Sequence, residues 1–149
     1  MKKPRILLAD DHPVMLKALC SLLNDGVGEV VGTATDGEAL VEAAQRLEPD
    51  IIIADISMPR LNGIEATRAL QTSVPQSKVI ILTGHCEPAY VTLAFRAGAR
   101  GYLLKRMSLQ TELSQALLHV LSGDRYMGLG VREEPAFAAE GVALTRYRL

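Results

Sequence analysis

Apolar residues fall along this chain in short unbroken runs, each followed by a longer stretch where they recur every three or four positions. The first pattern suits buried strands and the second suits amphipathic helices. Arg5 to Ala9 reads as a buried strand stopped by Asp10-Asp11. His12-Pro13 opens a helix, because proline is tolerated in a first turn whose N–H groups lack partners anyway. Met15, Leu19 and Leu22 line one face of it, Leu16 and Leu23 widen the stripe, and Asn24-Asp25-Gly26 ends it. Glu29 to Ala34 is a second, shorter strand. Asp36 can cap the next helix, which carries Leu40, Ala43, Ala44 and Leu47 on one face and closes at Pro49.

The run that follows, Ile51-Ile52-Ile53-Ala54, is β-branched and free of polar residues, as expected of a strand covered on both faces. It ends on Asp55, before a loop holding Pro59 and Gly63. Asn62-Gly63 precedes a helix running to about Gln71, and Pro75 breaks the chain again. Lys78 to Thr83 is a fourth strand, Glu87 to Ala97 a helix stopped by Gly98, and Gly101 to Lys105 a fifth strand. Ser108 caps a last helix with Leu109, Leu113, Ala116, Leu117, Val120 and Leu121, and Gly123 ends it. Five strands alternate with five helices. Helical crossovers imply a parallel sheet with right-handed connections, so the fold class is α/β, doubly wound.

Length and composition narrow the picture further. A chain of 149 residues, 48% hydrophobic and 22% charged, suits one globular domain with a short tail. A net charge of −1 leaves no footprint for nucleic acid within these residues. No apolar run approaches the roughly 18 residues of a membrane span, and the run after the basic amino terminus is too short for a signal peptide. Cys20 and Cys86 lack metal-type spacing, which suits a reduced, cytoplasmic protein. From Gly128 to Gly141 the composition shifts to Gly, Glu-Glu-Pro and small residues, and reads as a linker. The expected division is a domain over 1–127 and a linker or tail over 128–149.

Four strand ends carry polar groups that a core would reject: Asp10 and Asp11, Asp55, Thr83 and Lys105. A parallel sheet sets all of them on one edge, where ligands collect in open α/β folds. Three close carboxylates repel one another unless a cation is present, and a sparse all-oxygen set suits Mg²⁺. Lys105 and Thr83 add a point charge and a hydroxyl. Such parts can hold a phosphoryl group over Asp55 acting as nucleophile.

These pieces resemble the receiver (CheY-like) domain of two-component response regulators. The resemblance rests on Ile6-Leu7-Leu8-Ala9-Asp10-Asp11-His12-Pro13, on Asp55-Ile56-Ser57-Met58-Pro59 with Asn62-Gly63-Ile64-Glu65, on Leu82-Thr83-Gly84-His85, and on Ala97 to Lys105. The Asp-Asp-His-Pro and Gly-Tyr-Leu-Leu-Lys wordings are most similar to the LuxR-type (NarL/FixJ) subfamily. The resemblance implies a flavodoxin-like five-stranded sheet of order 2-1-3-4-5. It implies that Asp55 is the phospho-acceptor and that Asp11, Asp55 and the Ser57 backbone carbonyl bind Mg²⁺ directly, with Asp10 acting through water. It further implies that Thr83 is the switch hydroxyl, that Lys105 pairs with the phosphate, and that Tyr102 is the switch aromatic. His85 and Ser57 would flank the phosphate and set its lifetime. His12 is read as an ordinary loop histidine. Arg106 stands where many receivers have proline.

The implied partners are a sensor histidine kinase or a small phosphodonor, a second copy on phosphorylation, and DNA only through an effector domain outside these residues. The domain would be no enzyme beyond catalysing its own phosphorylation and dephosphorylation. Val142 to Arg146 resembles the opening of a LuxR-type helix-turn-helix. Two readings stay open: part of a transcription regulator, or a free-standing receiver with a tail. A phosphohydrolase with an aspartyl nucleophile usually needs a second aspartate where Ser57 stands. The remaining alternative is a pseudo-receiver that binds partners without phosphorylation.

Overall fold

A computed structural model describes residues 2–106 and 109–134. In chain order the elements are β1 (Arg5–Ala9), α1 (Pro13–Asn24), β2 (Glu29–Ala34), α2 (Gly37–Leu47), β3 (Ile51–Ala54), α3 (Gly63–Ser73), β4 (Lys78–Thr83), α4 (Pro88–Ala97), β5 (Gly101–Leu104), α5 (Leu109–Leu121) and β6 (Tyr126–Met127). All strand pairs are parallel and the sheet order is β2-β1-β3-β4-β5-β6. The five strands legible in the sequence take the order 2-1-3-4-5 that the resemblance implies. The sixth is an addition: two residues are too few to show a period.

The strands alternate their side chains between two helical layers. Leu7, Ile52, Ile81 and Tyr102 pack with Leu40 and Ala44 of α2, Leu70 of α3, and Val91 and Ala94 of α4. Leu8, Ile53, Ile80 and Leu103 face the other way, onto Leu16, Leu19 and Leu23 of α1 and Leu113, Ala116 and Val120 of α5. Ile51, Ile52 and Ile53 are all buried, as expected for a strand with a helical layer on each side. Each such side chain contributes about 1.5–3 kcal/mol relative to exposure.

Local chemistry fixes the helix ends. The Asp36 carboxylate accepts the Ala39 N–H at 2.8 Å and starts α2. Asn62 and Glu65 form a reciprocal capping box at α3, with bonds of 2.8 and 3.0 Å. Gly98 closes α4 in the left-handed region, its N–H bonded back to the helix carbonyls. The expected Ser108 cap and the helix-turn-helix-like stretch 142–146 lie outside the described residues.

Residues 128–134, linker-like in composition, lie against the domain. The Gly128 N–H bonds the Tyr102 carbonyl at 2.9 Å, and Val131 is buried in the same layer as Tyr102. Among the described residues no helix is long and apolar enough to cross a membrane.

Candidate functional site

Strand register builds the site. Ala9 pairs with Ala54, so Asp10 and Asp55 leave neighbouring strands side by side, and the Asp55 N–H bonds the Ala9 carbonyl at 3.0 Å. Thr83 pairs with Leu104, and the Lys105 N–H bonds the Thr83 carbonyl at 2.9 Å, which brings Lys105 to the same edge. Behind Asp55 the chain passes very close to the start of α3. A Cβ on Gly63 would stand 2.1 Å from the Asp55 carbonyl oxygen, so only glycine fits there.

Asp10 and Asp55 are buried, at 1% and 4% exposure. Burying two carboxylates this deeply requires compensating charge. Lys105 supplies it: its Nζ lies 2.8 Å from Oδ2 of Asp10 and 2.8 Å from Oδ2 of Asp55. Burial alone would lower the pKa of the ammonium. The hydrogen bonds and charges of Asp10 and Asp55 outweigh it, and the pKa lies above its ordinary value. Oδ1 of Asp55 is buried with no hydrogen-bond partner. It is an acceptor aimed at nothing that the described residues provide.

Asp11 joins the cluster from the start of the β1–α1 loop, and so does His12. The His12 ring Nδ1 lies 3.0 Å from Oδ1 of Asp10 and 3.0 Å from Oδ1 of Asp11. One ligand atom from each of Asp10, Asp11, His12 and Asp55 falls within 4.8 Å of the others. Three carboxylates against one ammonium leave negative charge in excess. This oxygen-rich donor set fits a hard divalent cation such as Mg²⁺. His12, set aside in the sequence as a loop residue, sits on the acidic cluster. Its adjacency to Asp10-Asp11 was the available signal, but only loop geometry sets the exposed ring against both carboxylates.

Thr83 is fully buried at the end of β4, and its hydroxyl accepts the His85 N–H at 3.3 Å. Tyr102 is also fully buried, and its hydroxyl donates to the His85 carbonyl at 2.7 Å. Desolvation first, then the nearby Glu87, Cys86 and Asp55 charges, holds its phenol well above the ordinary range. Ser57 is exposed, and its Oγ lies 2.8 Å from Nε2 of His85. This contact bridges the loops after β3 and β4. The structure therefore brings Asp10, Asp55 and Lys105 into direct contact, gathers Asp11 with them, and sets Thr83, Tyr102, Ser57 and His85 around the loop after β4.

The response regulator receiver domain family matches residues 6–118. Response regulator GacA of Pseudomonas aeruginosa is 36% identical over 133 residues, covering 89% of this chain and 62% of the relative. Transcriptional regulatory protein DegU of Brevibacillus brevis is 39% identical over 126 residues, covering 84% of this chain and 53% of the relative. The chain thus spans between about half and three fifths of the length of these curated relatives. The solved receiver domain of the response regulator NarL from Mycobacterium tuberculosis superposes with a TM-score of 0.78 at 33% identity, covering 83% of this chain and 99% of that one. With the family match over most of the sheet and the strand order in agreement, this chain belongs to the receiver domains of two-component response regulators, in the LuxR-type (NarL/FixJ) subfamily.

Proposed function

We propose that Asp55 accepts a phosphoryl group and that the domain switches conformation in response. The observation that carries this reading is the split environment of the Asp55 carboxylate: Oδ2 is held by Lys105 at 2.8 Å, while Oδ1 is buried and unpartnered. A buried carboxylate with one oxygen pinned and one bare is a positioned nucleophile. The bare oxygen attacks the phosphorus of a histidine kinase phosphohistidine or of an acyl phosphate. The P–N or P–O bond breaks as the new P–O bond to Asp55 forms. The leaving imidazole takes up a proton, and an acyl donor leaves as carboxylate.

Asp11, Asp55 and the Ser57 carbonyl would hold Mg²⁺, with Asp10 acting through water. The ion, when bound, neutralises charge on the phosphoryl oxygens. Lys105 offsets the charge of the acyl phosphate, and Thr83 donates its hydroxyl to a phosphoryl oxygen. Ser57 and His85, bonded across the loops, control water access and so the lifetime of the modification. Movement of Thr83 and then Tyr102 carries the signal to the β5 side of the domain. The domain turns over no separate substrate. Output is a changed self-association and, in a longer transcription regulator, control of an effector domain that contacts DNA. A cytoplasmic location fits a kinase partner and the two free thiols.

Incubation with Mg²⁺ and acetyl phosphate, followed by intact mass, tests the reading. The expected result is a single base-labile phosphoryl adduct that Asp55→Asn abolishes. Absence of an adduct with every donor, including a histidine kinase, overturns it and leaves a phosphate-independent interaction module.

A further inference from the structure

The chain beyond α5 is fastened to the β5 edge at points that touch the switch region directly. Tyr126 and Met127 pair with Gly101 and Tyr102. The Leu129 N–H bonds Oε2 of Glu112 at 2.6 Å, a carboxylate only 4% exposed. The Leu129 carbonyl accepts from Nη1 of Arg106 at 2.7 Å. The Glu134 N–H bonds Oγ1 of the buried Thr92 on α4 at 3.0 Å. Glu133 lies 3.2 Å from Arg125, beside a cleft of about 570 Å³ lined also by Arg96 and Arg100, so the acidic end of the segment sits in basic surroundings.

Arg106 is the residue after Lys105, and Lys105 is held by Asp10 and Asp55. Leu104, on the other side of Lys105, is locked to Thr83 in the ladder. The Lys105 N–H is also held, by the Thr83 carbonyl at 2.9 Å, so Arg106 is the first residue beyond the hold of β4. At its far end Arg106 lies against Gly130, whose φ of +81° favours glycine and where a Cβ would lie 3.0 Å from Nη1 of Arg106.

We propose that residues 126–134 form a strap whose seating is set by the state of Asp55, with Arg106 as the positioning residue that links the Lys105 loop to it. This rests on the phosphoryl reading above. When a phosphoryl group occupies Asp55, Lys105 exchanges its two carboxylate partners for phosphoryl oxygens, and the 105–106 backbone shifts. Arg106 then loses its bond to the Leu129 carbonyl and the strap lifts from Gly128 onward. Lifting exposes Val131 and the Tyr102 carbonyl, and frees Glu134 from Thr92 on α4. The strap is the ligand of the β5 edge in the resting state.

Hydrogen exchange of the strap amides, read by mass spectrometry on the full chain with and without Mg²⁺ and acetyl phosphate, tests this. Intact mass of the same samples reports the adduct. The expected result is exchange over 128–134 faster by about tenfold in the phosphorylated protein, within the range typical of coupling between two sites. Arg106 is exposed, so Arg106→Ala should fold. It is expected to exchange fast without phosphate and to lose the phosphate-dependent change. An adduct with unchanged strap exchange overturns the proposal, as does an Arg106→Ala variant that responds like the wild type. Absence of any adduct overturns the Asp55 reading, and this proposal with it.

Discussion

The Tyr102 hydroxyl donates to the His85 carbonyl at 2.7 Å, and so ties the middle of β5 to the loop that follows β4. Tyr102→Phe removes the donor and leaves that carbonyl without it. The expected loss is about 1 kcal/mol, the usual net worth of one such bond. A urea denaturation midpoint measures it. The phosphoryl adduct should still form, because Tyr102 touches none of the acidic cluster.

The same tyrosine predicts a pH dependence. Burial raises its phenol above the ordinary value of 10 in the folded state. The folded protein therefore keeps this proton more tightly than the unfolded chain does. The stability this contributes is complete below the unfolded value and falls as the pH climbs above it. Denaturation midpoints taken in steps above neutrality should decline in that alkaline window. Tyr102→Phe should flatten the decline.

Lys105→Ala strips the shared cation from two buried carboxylates. Loss of one partner from a buried pair costs about 3 kcal/mol or more. The variant should melt well below the wild type in chelator. Millimolar Mg²⁺ should recover more stability in the variant than in the wild type, because the ion replaces charge that the wild type already has. Equal recovery in both proteins would show that the ion binds away from these carboxylates.

Gly63→Ala forces a methyl against the Asp55 carbonyl. The helix start must retreat, and overpacking of this kind costs about 1–3 kcal/mol. Since the displaced carbonyl belongs to the proposed nucleophile's own residue, phosphorylation by acetyl phosphate should slow as well. A time course by intact mass, compared with a thermal midpoint, separates the two effects.

The two thiols should differ in reactivity. Cys86 is exposed beside His85, whereas Cys20 is partly covered on α1 and burial raises its pKa. The thiolate is the reactive form. Brief treatment of the native protein with iodoacetamide should label Cys86 well before Cys20, as peptide mapping can show.

Much of the fold was legible because its signals are long or chemically unusual. Three consecutive isoleucines, followed by Ala54 and then Asp55, announce a covered strand and an out-of-place carboxylate. Asp36 and Asn62-Gly63 mark helix starts by side-chain chemistry alone. The features that stayed hidden depend on distance in space. Tyr126–Met127 is too short to carry an alternation. Glu112 looks like one more polar position on an amphipathic helix, yet it is buried under Leu129. Nothing local to Arg106 says that its guanidinium reaches a carbonyl 23 positions later. His12 was visible beside two aspartates, but its orientation was not.

One consequence of the short sixth strand concerns colloidal behaviour. Without it, β5 would end the sheet as an apolar Gly-Tyr-Leu-Leu edge with open amide and carbonyl groups. Such an edge is a template for strand addition by another copy. Tyr126 and Gly128 occupy it by donating to the Arg100 and Tyr102 carbonyls at 2.9 Å each. A chain cut just after α5 would keep every residue of the acidic cluster and still be expected to aggregate, so the last residues of the described domain act as its solubilising seam.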